Sequence, residues 1–221
     1  MALTATDSGG NFKRVPAGAH IARCFSIIDC GTQTTNGQYG ETIARKVRLG
    51  WELFGEDENN EPLTIEFDGK VMPMTISKTY TLSLGEKANL RKDLTAWRGK
   101  AFTEEELKGF DITNVLGKHC MLNVTVSENN GKTYSNIAGV SPIHKSMAKP
   151  DGVHKNITFD LDNFDEEVFN SFHEKLQDYI KQSPEYADLF ETETTTTNVA
   201  GKAPAKAKAD FDDFEDDIPF S

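Results

Sequence analysis

The sequence predicts a mainly β fold: a five-stranded OB-like barrel with a helical insert between strands 3 and 4, a C-terminal amphipathic helix and a disordered acidic tail. Three observations lead to this prediction. Runs with strand character fill most of 15–142, and helical periodicity interrupts them at 86–117. A second helical pattern follows Pro150, and from residue 192 onward no periodicity remains. An OB barrel has five strands, and its helix lies between the third and the fourth.

The first three predicted strands lie at 20–29, 42–54 and 74–84. The second strand alternates: one face takes the odd positions from Ile43 to Leu53, which are apolar apart from Arg45. A polar loop at 55–63 separates the second strand from the third. These runs supply the first half of the barrel.

The helical insert begins with a helix predicted at 86–97, which places Leu90, Leu94 and Trp97 on one apolar stripe. Thr103 and Glu106 have the spacing of a capping box, which marks a second helix start. Asp111 can cap a short turn before Gly117. The insert is therefore three short helical pieces.

The last two strands, at 119–126 and 132–140, flank Asn129-Asn130-Gly131, and an Asn-Gly pair favours a tight hairpin turn. Side chains at every second position of the first strand face one side. Those expected to face inward are Cys120, Leu122, Val124 and Val126.

The C-terminal part changes character after Pro150. Asp165 opens an amphipathic helix predicted to run to residue 181, and Ser183-Pro184 stops it. Its apolar stripe permits packing on the barrel or homodimerisation. The expected segments are a disordered N-terminus (1–11), an OB-like core (12–146), a helical extension (147–190), a flexible linker (191–209) and an acidic tip (210–221).

Composition indicates a soluble cytoplasmic protein. The 221 residues are 37% hydrophobic, which is enough for a packed core. No apolar run approaches the ~20 residues of a membrane span. The N-terminal sequence lacks the features of a secretory signal. The three cysteines fit neither a C-x-x-C pair nor a disulfide framework, so free thiols are expected.

The formal charge of −11 is unevenly distributed. Residues 11–150 hold 18 basic and 16 acidic side chains, whereas 151–191 hold 3 and 11, and 209–221 hold 0 and 6. A near-neutral body with acidic C-terminal segments is compatible with nucleic-acid binding, although the whole-chain pI of about 4.9 is not typical of it.

The last residues form the most specific string of the chain, DFDDFEDDIPF at 210–220. It resembles the acidic tip of bacterial single-stranded-DNA-binding proteins, which ends in Asp-Asp-Ile/Leu-Pro-Phe. Ser221 departs from that family, in which the Phe carboxylate is terminal. The resemblance implies that the tip binds replication and recombination proteins. The residues expected to do so are Phe211, Phe214, Asp216, Asp217, Ile218, Pro219 and Phe220.

Three body segments, 15–33, 83–112 and 116–142, are similar to a group of phage-encoded replication or recombination proteins. That resemblance implies single-stranded-DNA binding through an OB-like core in the host cytoplasm. Single strands are held by cations along the phosphates and by aromatic faces on which bases stack. The expected DNA-binding residues are Arg45, Lys46, Arg48, Trp51, Phe54, Lys78, Tyr80, Lys87, Arg91, Lys132 and Tyr134, with Tyr39, Lys92 and Arg98 as further candidates.

The aromatic candidates have an alternative interpretation as core residues. Trp51 is in phase with Val47 and Leu49, and this phase favours the core over a stacking platform. Tyr80 is in phase with Ile76, and the pattern leaves core and platform open. Phe54 and Tyr134 lie nearer turns.

The predicted function is non-enzymatic, sequence-nonspecific binding of single-stranded DNA. The alternative is an acidic DNA mimic or adaptor that occupies the DNA site of another protein. No catalytic, metal or cofactor site is expected, since Gly131-Lys132-Thr133 lacks the first P-loop glycine and the histidines show no ligand spacing.

Overall fold

The computed structural model describes residues 13–37 and 40–191. The strands are β1 (Gly18–Gly37), β2 (Gly40–Phe54), β3 (Thr64–Phe67), β4 (Lys70–Pro73), β5 (Thr75–Thr81), β6 (His119–Asn129), β7 (Lys132–Ser141) and β8 (Ile157–Phe159). The helices are α1 (Asn89–Arg98), α2 (Glu104–Lys108), α3 (Glu166–Asn170), α4 (Glu174–Lys181) and α5 (Pro184–Glu191), with short 3-10 turns at Ile112–Val115 and Leu161–Asn163. No helix in these ranges is long and apolar enough to cross a membrane.

The main sheet has the order β5-β2-β1-β6-β7, and its neighbouring strands are antiparallel. β8 pairs with β1 in parallel, beside this path. The mainly β class is confirmed, but the closed barrel is not, because β5 and β7 are the two ends of the path. A side chain spans these ends: Lys78 Nζ donates to the Ile137 carbonyl at 3.1 Å.

The inner face of the sheet packs on the helical insert and forms an inner core. Odd positions of β2 from Val47 to Leu53 and even positions of β6 from Cys120 to Val124 face this core, as their alternation predicted. Ile43, predicted on the same face of β2, is exposed because it lies before the part of β2 that pairs with β5. Leu90, Leu94 and Trp97 of α1 close it, and Trp97 Nε1 donates to the His119 carbonyl at 2.9 Å. Val126 does not reach the core and is exposed, because the β6–β7 hairpin extends beyond the body.

An outer core forms on the opposite face of β1. Ile28 and Cys30 pack there against Phe159 and against the buried sides of α3 and α4. Polar contacts support this packing: Gln33 Nε2 donates to the Tyr179 carbonyl at 2.8 Å, and the Thr32 amide donates to Glu185 at 2.8 Å. The C-terminal extension is therefore part of the folded body.

A buried ion pair fixes the segment that leads to this extension. Arg23 Nε binds Glu52, whose side chain is fully buried, and Arg23 also donates to Asn156 Oδ1 at 2.6 Å. The second Glu52 oxygen accepts from the amides of Val153 and His154 at 3.1 and 2.9 Å. Because the two charges are hydrogen-bonded on all sides, the cost of burying them is offset.

One predicted helix is wrong, and three strands were not predicted. The helix expected at 165–181 is two helices, since the Ser171 hydroxyl binds the Val168 carbonyl and His173 caps α4. The hairpin of β3 and β4 was not predicted, although Asp68 and Gly69 form its turn with positive φ. β8 was not predicted either, because a strand of three residues is too short to show an alternating pattern.

Local turn and cap predictions are confirmed. The capping box joins Thr103 and Glu106 reciprocally, and Asp111 caps the following 3-10 turn. Asn130 and Gly131 both have positive φ, as a tight hairpin turn of the predicted kind requires.

Gly31 allows the extension to approach β1, and we predict that Gly31→Ala destabilises the protein. Its φ is +68°, and a Cβ there would overlap the side chain of Ser183, just after α4. We expect a loss of about 2 kcal/mol or more in the free energy of unfolding, measured by urea denaturation.

Gly139→Ala is the matched control, because Gly139 lies in β7 with no atom within 4 Å of an added Cβ. We expect its stability to stay within about 0.5 kcal/mol of the parent. Equal stability of the two variants would contradict the proposed close packing at Gly31.

Candidate nucleic-acid interface

The basic cluster predicted on β2 divides into three different environments. Arg45 is surrounded by carboxylates, Arg48 is covered, and Lys46 opens onto a cleft. Alternation places Arg45 on the face opposite to Lys46 and Arg48, and burial then separates Arg48 from Lys46. They cannot act as one phosphate-binding cluster.

Arg45 joins the paired strands β1 and β2 to the C-terminal extension. Its guanidinium lies 2.5 Å from Asp29, 3.1 Å from Asp162 and 3.7 Å from Asp160. The hydrogen bond to Asp29 is the main cause that raises the pKa of Arg45 above its ordinary value. Because these carboxylates offset its charge, the predicted phosphate contact at Arg45 is corrected to a structural ion pair.

Arg48 is also corrected to a structural residue. The residue is only 5% exposed, and Nη1 donates to Thr79 Oγ1 at 3.4 Å. Its charge lies close enough to the outer core to act on the pKa values of Cys30 and Tyr179. A phosphate has no access to a guanidinium covered in this way.

Lys78 and Tyr80 meet on one carboxylate between β5 and α1. Asp93 Oδ2 accepts from Lys78 Nζ at 2.9 Å and from the Tyr80 hydroxyl at 2.8 Å. Burial, and then the nearby Asp93 charge, raise the pKa of Tyr80 far above its ordinary value. Tyr80 belongs to the inner core, so the predicted stacking role is wrong, and Lys78 is balanced by Asp93.

Trp51 has no face open to a base. It is completely buried, and its ring centroid lies 6.1 Å from that of Trp97. The predicted stacking role is therefore corrected to a core role, as its alternation with Val47 and Leu49 had favoured.

The remaining aromatic and hairpin candidates stay accessible in part. Phe54 is half-buried, with its ring 6.3 Å from His119. Tyr134 is half-buried on β7, and Lys132 is exposed at the start of that strand. Their roles in DNA binding stay predictions.

The cationic residues of the insert also differ in what they contact. Arg91 is half-buried and donates to the Leu84 carbonyl at 3.2 Å, whereas Lys92 is exposed. Arg98 binds Glu106 and lies over the ring of Phe102, 4.4 Å from its centroid. Arg98 is therefore corrected to a structural residue.

Lys46 and Lys87 line a cleft of about 780 Å³ between β5 and the start of α1. Lys46 Nζ donates to Thr81 Oγ1 at 3.0 Å, and Lys87 is exposed. Neither lysine has a carboxylate partner among the residues that the structure describes. Burial lowers the pKa of Lys46, so an anion beside it would stabilise its charge.

Hydroxyl groups complete this cleft, and the sequence analysis did not single them out. Thr79, Thr81 and Ser83 line it together with Glu86, its acidic member. Their spacing of two is a readable signal, because residues two apart on a strand share a face. Ammonium and hydroxyl donors around an open cleft are suited to phosphate oxygens.

The described residues show no arrangement for metal or thiol chemistry. No three His, Cys, Asp or Glu side chains among residues 13–37 and 40–191 could hold a metal ion. Burial raises the pKa of Cys24 and Cys30 to about 12, and it also raises the pKa of Cys120. Buried thiols of this kind are poor nucleophiles at neutral pH.

Several predicted sites lie outside the described residues. They comprise Tyr39 and the tip residues Phe211, Phe214, Asp216, Asp217, Ile218, Pro219 and Phe220. These assignments stay predictions from the sequence.

A scan against protein-family models finds no match to this chain, and a search of curated proteins finds none either.

We predict that Arg45→Gln lowers stability and leaves nucleic-acid affinity unchanged, because the charge of Arg45 is held by carboxylates. Charged hydrogen bonds of this kind contribute about 1.5–3 kcal/mol. Urea denaturation measures the loss, and fluorescence anisotropy with labelled oligo-dT measures affinity. If Arg45→Gln lowers the affinity for oligo-dT and leaves stability unchanged, Arg45 is a DNA contact and not a structural residue.

Proposed function

We propose that this protein binds single-stranded DNA without sequence specificity, as a non-enzymatic factor in DNA replication or recombination. The observation that carries the proposal is the cleft of Lys46 and Lys87, where two lysines without carboxylate partners face a set of hydroxyl groups. These groups bind phosphate oxygens, which every nucleotide presents irrespective of its base.

The sheet order supports an OB-like barrel as the framework of this site. Counting the five long strands of the main path in chain order, the path runs third, second, first, fourth, fifth. An OB barrel opened between its third and fifth strands has this neighbour order, and partly open barrels are typical of the fold. The Lys78–Ile137 hydrogen bond spans the open seam.

A flexible single strand suits the cleft better than a duplex. A single strand can bend its backbone toward Lys46 and Lys87 and turn its bases away, whereas a duplex offers only one edge of a stiff helix. Phe54 and Tyr134, both half-buried, are the described aromatic candidates for base stacking. Stacking contributes about 1–3 kcal/mol per base.

The C-terminal tip is the proposed contact for partner proteins. The resemblance of 210–220 to the bacterial tip supports recruitment of replication and recombination proteins. The resemblance of the body segments supports a phage origin and a role in the host cytoplasm.

The acidic DNA mimic is the second candidate function. The observation that favours it is the excess of acidic residues over 151–191, where 11 acidic and 3 basic side chains lie largely on folded elements. A mimic would not bind DNA, so direct titration separates the two candidates.

We predict that the double variant Lys46→Gln, Lys87→Gln weakens binding to oligo-dT by about tenfold at low salt, because two charged phosphate contacts are lost. The dependence of log affinity on log salt should become shallower by about 1.4, since each contact to a single strand contributes about 0.7. Anisotropy titrations at several salt concentrations measure both quantities.

Lys108→Gln is the matched control, because Lys108 is a highly exposed lysine on α2. We expect its affinity and salt dependence to equal those of the parent. If the double variant binds oligo-dT as tightly as the parent does, the binding site lies elsewhere. If the parent does not bind oligo-dT at all, the DNA mimic is favoured.

A further inference from the structure

An aromatic patch lies on the surface of the C-terminal extension. We define it as Phe164, Tyr186 and Phe190, which the fold brings together from the end of the second 3-10 turn and from α5. Ring centroids lie 5.9 Å apart for Phe164 and Tyr186, 5.0 Å for Tyr186 and Phe190, and 6.2 Å for Phe164 and Phe190. Phe190 is nevertheless 51% exposed.

The aromatic patch packs on the outer core. Phe169 of the outer core lies 5.4 Å from Phe164 and 5.3 Å from Tyr186, and it is itself buried. Tyr186 and Phe190 are four residues apart on α5, so they lie on the same side of that helix. The patch is a preformed apolar surface rather than a single exposed side chain, and its size suits a small number of anchoring contacts.

The C-terminal extension that carries the aromatic patch is acidic. Asp165 caps α3 and Glu185 accepts from Thr32, whereas Asp188, on the same helix as Tyr186 and Phe190, is exposed. Lys181, which reaches toward Phe169, is already paired with Asp178 at 3.7 Å. The segment 151–191 holds 11 acidic and 3 basic residues.

We propose that the aromatic patch docks a positively charged segment of another protein that presents apolar side chains on one face. The aromatic rings would contact the apolar side chains, and exposed carboxylates of the extension, such as Asp188, would attract the lysines or arginines. Interfaces of this kind combine a desolvated aromatic anchor with charge complementarity at the rim.

The charges also argue against the two other occupants. A second copy of this chain would bring two acidic extensions together. The chain's own tip at 210–221 carries aromatic side chains, but it holds six acidic residues and no basic ones. Like charges at an interface oppose association.

This docking surface does not depend on DNA binding. The aromatic patch lies on α5 and on the 3-10 turn beside the outer core, whereas the lysine cleft lies between β5 and α1. Each can fail without the other.

The test uses the full chain and two fluorescein-labelled peptides of identical leucine and lysine composition. In one, the leucines fall on one face of a helix; in the other, the order is scrambled so that no apolar face forms. We expect the parent protein to bind the patterned peptide at least about fivefold more tightly than the scrambled one. Equal binding would reduce the interaction to charge attraction and overturn the proposal.

Two variants locate the binding. Phe190→Ala should weaken binding of the patterned peptide about fivefold, which is the size of effect expected for an interface anchor. Asp188→Lys reverses one exposed charge on α5 without removing a ring, and it should also weaken binding of the patterned peptide. Val71→Ala is the matched control, since Val71 is 69% exposed on the separate β3–β4 hairpin, and it should bind as the parent does.

Urea denaturation checks that the variants are folded, and sedimentation of the parent alone reports self-association. Parent-like binding by both Phe190→Ala and Asp188→Lys would overturn the proposal. A dimer that Phe190→Ala dissolves would overturn it as well, because the occupant would then be a second copy.

Discussion

The buried ion pair of Arg23 and Glu52 is the contact on which the arrangement of the two cores depends. It joins β1 to β2 and at the same time holds the backbone of Val153 and His154 on the outer face of the sheet. A chain held there leads directly into β8, which pairs with β1 and begins the outer core. Loss of one partner would leave an uncompensated buried charge, a far larger cost than loss of a surface pair.

The two cores explain why the arginines of β1 and β2 are not available to a ligand. The extension needs anchors on the sheet, and Arg23, Arg45 and Arg48 supply or border them. Lys78 is used at the open seam between β5 and β7. Lys46 and Lys87 line a cleft together with Lys78 and Glu86, and in the described part of the chain neither of the two lysines forms an ion pair. Their position gives the proposed DNA site its charge in a protein that is acidic as a whole.

Local patterns predicted much of the fold, and long-range contacts decided most of the site. Sequence patterns identified the five long strands, alternation gave Trp51 a core alternative, and the capping box at Thr103 located α2. The Asp68-Gly69 pair is also a turn signal that is readable in the sequence. No local pattern could show that Asp160 and Asp162 reach Arg45, because that contact exists only when the extension folds back over more than a hundred residues. A basic strand residue gives no sign in sequence of whether its charge is already balanced.

The most direct test of the DNA-binding account is lysine footprinting with an acetylating reagent, with and without saturating oligo-dT, read by mass spectrometry for each lysine. The account predicts that Lys46 and Lys87 become protected, whereas Lys108 and the exposed Lys118 react equally in both conditions. Protection that is confined to other lysines, or unchanged acetylation of Lys46 and Lys87 when the oligonucleotide is bound, would contradict it.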